Sequence, residues 1–126
     1  MAYDEVVVPI TLPSNATSLV GKELCLVKVT NDNGVGKLEL NGNGQRAIGV
    51  LYEVLGATED SPCTVAIGGL VKVKAGDTVT AGAAFASDAN GLAVPVATGD
   101  QPLGIVINGG VVNDIVTVLF HPVGTT

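Results

Sequence analysis

The stretch Gln45-Arg46-Ala47-Ile48-Gly49-Val50-Leu51-Tyr52-Glu53-Val54-Leu55 decides the fold, because alone it reads two ways. Its apolar residues would suit one face of a helix. They would also suit a strand buried on both sides, and periodicity alone does not separate the two. A second copy does. Pro102-Leu103-Gly104-Ile105-Val106-Ile107 repeats the pattern and is closed by Gly109-Gly110. That copy is too short and too β-branched for a helix, so both segments are read as strands. The copies carry neighbours with them. Asn33-Gly34 and the turn Asn41-Gly42-Asn43-Gly44 precede the first; Asn90-Gly91 and the turn Ala97-Thr98-Gly99-Asp100 precede the second. Gly49 and Gly104 are 55 positions apart, and Gly34 and Gly91 are 57 apart. Small indels in turns explain the difference.

Around this pair lie more short strands. Leu24–Val29, Lys37–Leu40, Cys63–Ile67, Leu70–Lys74 and Ile115–Phe120 are β-rich runs, and Gly68-Gly69 separates the third from the fourth. Asn-Gly steps tolerate the positive φ angles of tight hairpins. Short strands with regular turn signals imply an all-β fold, a small barrel or sandwich. Two pseudo-repeats, about 21–67 and 68–122, are expected to pack around a pseudo-two-fold within a domain at 21–126. Residues 1–20 read as an extended arm. Val6-Val7-Val8-Pro9-Ile10-Thr11-Leu12-Pro13 has no visible partner run, and each proline holds its predecessor extended. The arm either reaches another molecule or forms the first strand of the same domain.

The composition limits the chemistry. Hydrophobic residues make up 47% and aromatics only 3%, so the core must be built from Val, Ile, Leu and Ala. The net charge is −6 with only six Lys and Arg. That excludes the phosphate neutralisation on which nucleic-acid binding depends. No apolar run approaches the ~20 residues of a membrane-spanning helix. Met1-Ala2-Tyr3-Asp4-Glu5 lacks a basic leader, and synthesis in the cytoplasm is expected. Cys25 and Cys63 read as small core hydrophobes. With His121 they are too few for a structural zinc site.

No catalytic cluster stands out, and the expectation is a non-enzyme with no catalytic residues, no cofactor and no metal. His121 is the one histidine, and Ser14, Ser18, Ser61 and Ser87 sit in turn-like settings. Asp32-Asn33-Gly34 and Asp88-Ala89-Asn90-Gly91 lack the ligand set of a calcium loop; turn chemistry explains them. Val71-Lys72-Val73-Lys74-Ala75-Gly76-Asp77-Thr78-Val79-Thr80-Ala81-Gly82 resembles the turn of biotinyl and lipoyl carrier domains, the alternative reading. A modifiable lysine at a hairpin tip is missing from it.

The order of segments from Gly68 to Phe120 resembles the capsid decoration, or cement, proteins of tailed bacteriophages. The likeness rests on Gly69–Gly82, on Ser87-Asp88-Ala89-Asn90-Gly91 with Val94-Pro95-Val96, on Leu103–Val106, and on Ile115–Phe120. It implies a β-tulip-like fold and a structural protein of the virion on the capsid exterior. It implies binding to the major capsid protein, often as a homotrimer, and clamping of neighbouring capsid subunits. The arm is the expected contact, through Tyr3, Val6, Val7, Val8, Pro9, Ile10 and Leu12. Removing residues 2–13 is then expected to leave a folded oligomer that no longer decorates capsids. A mean hydropathy of +0.50 is high for a monomer and agrees with apolar surface covered by other subunits, or with a core rich in Gly, Ala and Val.

Overall fold

The computed structural model describes residues 7–15, 19–54 and 61–121. These residues form nine strands and no helix. In chain order they are β1 (Val7–Pro13), β2 (Leu26–Asp32), β3 (Val35–Leu40), β4 (Gly49–Val54), β5 (Pro62–Lys74), β6 (Ala84–Ser87), β7 (Ala93–Pro95), β8 (Gly104–Asn108) and β9 (Ile115–Phe120). All pair antiparallel in one sheet, ordered β3-β2-β4-β5-β9-β8-β6-β7, with β1 also on β5. The sheet curls into a half-barrel, so the fold is all-β as expected.

The stretch with two readings is a strand over Gly49–Val54, preceded by coil at 45–48. Asp32-Asn33-Gly34 makes the expected tight hairpin. Asn33 and Gly34 have φ of 54° and 86°, and the Gly34 N–H donates to Asn31 Oδ1 at 2.8 Å. The expected break at Gly68-Gly69 is absent. Both glycines lie inside β5, which runs unbroken for 13 residues.

The duplication is deeper in the backbone than in the side chains. Leu26 pairs with Val50 and Val27 with Gly49, just as Ala84 pairs with Ile105 and Phe85 with Gly104. The Ile48 N–H donates to Val27 O at 2.9 Å, and the Leu103 N–H to Phe85 O at 2.9 Å. β4 shifts register against β5 between Leu51 and Glu53; β8 does so against β9 between Val106 and Asn108. Leu24, at φ 67°, takes the place of Gly82, at φ 89°. Their N–H groups donate to Leu51 O and Val106 O.

β1 belongs to this scheme. Leu12 pairs with Cys63 as Val73 pairs with Val116. Ser14 bridges Leu38 as Ala75 bridges Ala93. The first unit therefore runs from β1 to the first half of β5, and the second from the second half of β5 to β9. The sequence hides the match because prolines stand in β1 where Leu and Lys stand in β5.

The two units do not meet through a two-fold. Pro9 lies opposite Ala66 but Val7 opposite Gly69, so β5 carries one extra residue there, with Gly69 at φ 90°. Such a bulge turns the following side chains to the other face. The clusters record the turnover. Cys63 and Val65 pack with Val27, Leu38 and Leu51, flanked by Ile10, Leu12, Ile48 and Ile67. Val71 and Val73 instead pack with Leu26, Val50 and Ala66 of the first unit and with Phe85, Val106, Val118 and Phe120 of the second. One face of the second unit thus covers the opposite face of the first.

Candidate interaction faces

Of the expected contact residues, Tyr3 and Val6 lie outside the described residues. Val7 and Val8 are backbone members of β1. Pro9 and Thr11 are exposed, while Ile10 and Leu12 are half-buried against the first unit's cluster. In β1 the residues from 7 to 13 are strand residues of the chain's own sheet. Alternation explains the split: one set of side chains faces the cluster and the other faces outward.

The residues considered for chemistry are dispersed. Lys72 and Lys74 sit within β5 opposite Thr117 and Ile115, away from any hairpin tip. The Lys72 N–H donates to Tyr52 Oη at 3.2 Å. Asp88 shapes its turn by accepting from the N–H groups of Asn90 and Leu92 at 2.8 and 2.9 Å. The Ser87 hydroxyl donates to Asp88 O at 2.9 Å. His121 is exposed at the end of β9, its N–H donating to Leu103 O at 2.9 Å. Cys25 and Cys63 are buried and free. Burial pushes both thiols above their ordinary value; for Cys25 the nearby Lys74 opposes this in part. Among the described residues no three His, Cys, Asp or Glu side chains gather as a metal site.

Two apolar surfaces stand apart from this dispersed chemistry. The first is a groove of about 550 Å³ on the first unit, lined by Val29, Ala47, Ile48 and Ile67 and rimmed by Lys28 and Arg46. Lys28 is held at the rim by Gln45 Oε1 at 2.7 Å and Glu39 at 3.4 Å. The second is the outer face of the second unit, where Ala84, Ile105 and Leu119 lie side by side on three paired strands. Pro102, Gly104 and His121 close a small hollow of about 160 Å³ beside them.

Strand pairing explains the second surface. Ile105 pairs with both Ala84 and Leu119, so the three share one side of the sheet. The first unit places Leu26, Val50 and Ala66 in the same arrangement. There they are covered: Val50 is 0% exposed and Ala66 1%, against 46% for Ile105 and 39% for Leu119. The sequence did not single out Ile105 or Leu119. A usable signal was present, since the nearly unbroken apolar run of β9 suits a strand covered on both faces.

Comparison with known proteins gives a likeness among solved structures. A scan against protein-family models finds no match, and neither does a search of curated proteins. Among solved structures, the N base of the head fiber gp8.5 of bacteriophage phi29 superposes with a TM-score of 0.74 at 13% identity. The match covers 92% of this chain and 95% of that one. The chain therefore has, over nearly its whole length, the fold of a phage head-fiber base.

Proposed function

We propose that this chain is a structural protein of a tailed-bacteriophage virion, carried on the outside of the head. The carrying observation is the near-complete fold match to a head-fiber base, in which both chains are covered almost end to end. It meets a decoration-like order of strands and turns found in the sequence independently of the fold. Nothing in the dispersed polar chemistry competes with this reading.

In the fuller form of the proposal, the protein binds the major capsid protein as a homotrimer and clamps neighbouring subunits. Contact is made along the N-terminal segment. Its outward side chains Pro9 and Thr11 are free of the cluster that Ile10 and Leu12 help to cover. Among the described residues, β1 forms strand ladders with β5 alone. Its other edge meets β3 at the Ser14–Leu38 bridge, and ahead of that bridge it would take strand addition by a partner. Three such contacts per trimer would raise avidity well above that of one.

The test is co-sedimentation of purified protein with expanded heads of the phage that encodes it. Saturable binding is expected, weakened by Thr11→Arg and by removal of residues 2–6. Decorated heads should also resist heating better than bare ones. Protein that stays in the supernatant at all concentrations contradicts the virion role. Full binding by both variants removes the N-terminal segment from the contact.

A further inference from the structure

The internal duplication supplies a template for what covers the bare face of the second unit. Within one chain, Leu26, Val50 and Ala66 on the outer face of the first unit are sealed by the second unit's inner residues, among them Phe85, Val106 and Phe120. Matched strand by strand, that inner set corresponds to Val27, Leu51 and Ile67 in the first unit. The correspondence is uneven in burial. Phe120 is buried but Ile67 is only half-buried. Leu103 is buried but its equivalent Ile48 is half-buried and borders the open groove.

The chain thus carries both halves of its own internal contact in unsatisfied form. Among the described residues, Ala84, Ile105 and Leu119 are an outer face with no inner face on it. Val29, Ile48 and Ile67 border an inner face with no outer face on it among those residues. We infer that the second unit of one copy seats Ala84, Ile105 and Leu119 on the Val29–Ile48–Ile67 groove of another copy, repeating between chains the packing made once within each. This inference deepens the self-association in the reading above and rests on it.

The contact joins two different patches, so it is heterologous. Such contacts close into rings or run on as filaments, whereas a two-fold dimer would pair a patch with itself. A ring would cover both of these patches in every copy. The same arrangement agrees with the high mean hydropathy of the chain.

The test uses purified full-length protein without heads. Ile105→Cys, Ile67→Cys and the double variant are treated with a short bismaleimide, with the wild type as the background for buried Cys25 and Cys63. Linked dimers and higher ladders are expected from the double variant, and dimers only from an equimolar mixture of the singles. Neither single variant alone should link. Leu119→Asp, at a site already exposed, should shift sedimentation from oligomer to monomer with an unchanged circular dichroism spectrum. Linking of Ile105→Cys alone would show a two-fold contact and overturn the head-to-tail seating, leaving self-association intact. An oligomer unaffected by Leu119→Asp overturns the face. A wild type that is monomeric at high concentration, yet decorates heads, overturns the inference and the self-association while the virion reading stands.

Discussion

Two glycines mark the duplication most sharply. A Cβ on Gly49 would run into the carbonyl oxygen of Ala66, and one on Gly104 into that of Leu119. Both clashes are with backbone of the adjacent strand, which has no rotamer to yield. These are the glycines of the Ile48-Gly49 and Leu103-Gly104 steps that make the repeat visible in the sequence. Their presence was legible; the carbonyl that demands them was not, since strand pairing brings it there. Gly49→Ala and Gly104→Ala should each destabilise the protein by about 1–3 kcal/mol or more, the range for forced overpacking. Urea melts give the measurement, and a change under 0.5 kcal/mol in either would remove the close-approach explanation.

Cys25 and Cys63 carry a pH prediction. Burial raises both thiols above the ordinary value of 9.0. The unfolded chain then loses these protons at lower pH than the folded one. Stability from the protonated thiols is fully present below pH 9 and is lost as the pH climbs through the raised folded values. Wild type should therefore show a decline above pH 9 that is reduced in Cys63→Ala, after correction for that variant's lower stability at pH 7. Parallel pH profiles would contradict it.

At the scale of elements, the long strand β5 organises the molecule. The sequence presents Gly68-Gly69 as a break between two strands, because paired glycines usually punctuate. They instead form a bulge within one strand, and only its partner strand shows this. The two positions should differ in tolerance. Gly69 has a φ of 90°, so Gly69→Val should cost at least ~1–2 kcal/mol from left-handed strain alone. Gly68 has open space around its missing Cβ and no positive φ, so Gly68→Ala should stay within about 0.5 kcal/mol. Equal losses at both sites would mean that the bulge is not what sets the register.

β1 shows the limit of reading by side-chain likeness. Val7–Pro13 resembles nothing in the second half by residue type, yet its ladder reproduces that of β5 on β9. Pairing is a backbone property, and prolines conceal it from the sequence. Truncation separates the roles of this segment. Loss of residues 2–6 should leave the melting temperature nearly unchanged. Loss of residues 2–13 also removes Ile10 and Leu12 from their cluster and should destabilise by several kcal/mol, at about 1.5–3 kcal/mol per large apolar side chain exposed. A 2–13 deletion as stable as the full chain would show that β1 adds nothing to the fold.

At the scale of the whole molecule, two copies of one unit are stacked face to opposite face. The all-β class and most strands were legible from turns and alternation. The asymmetry of stacking was not, because equivalent positions such as Val50 and Ile105 are chemically alike and differ only in what lies over them. Fold and function join here. A duplicated β body with bare apolar faces among its described residues suits attachment and assembly. The most direct test is immunogold labelling of intact phage particles with antibodies raised against this chain. Gold on the outer surface of the head, lost from particles made without the protein, is the expected result. Gold confined to the tail, or its absence from purified virions that contain every other structural protein, would contradict the account.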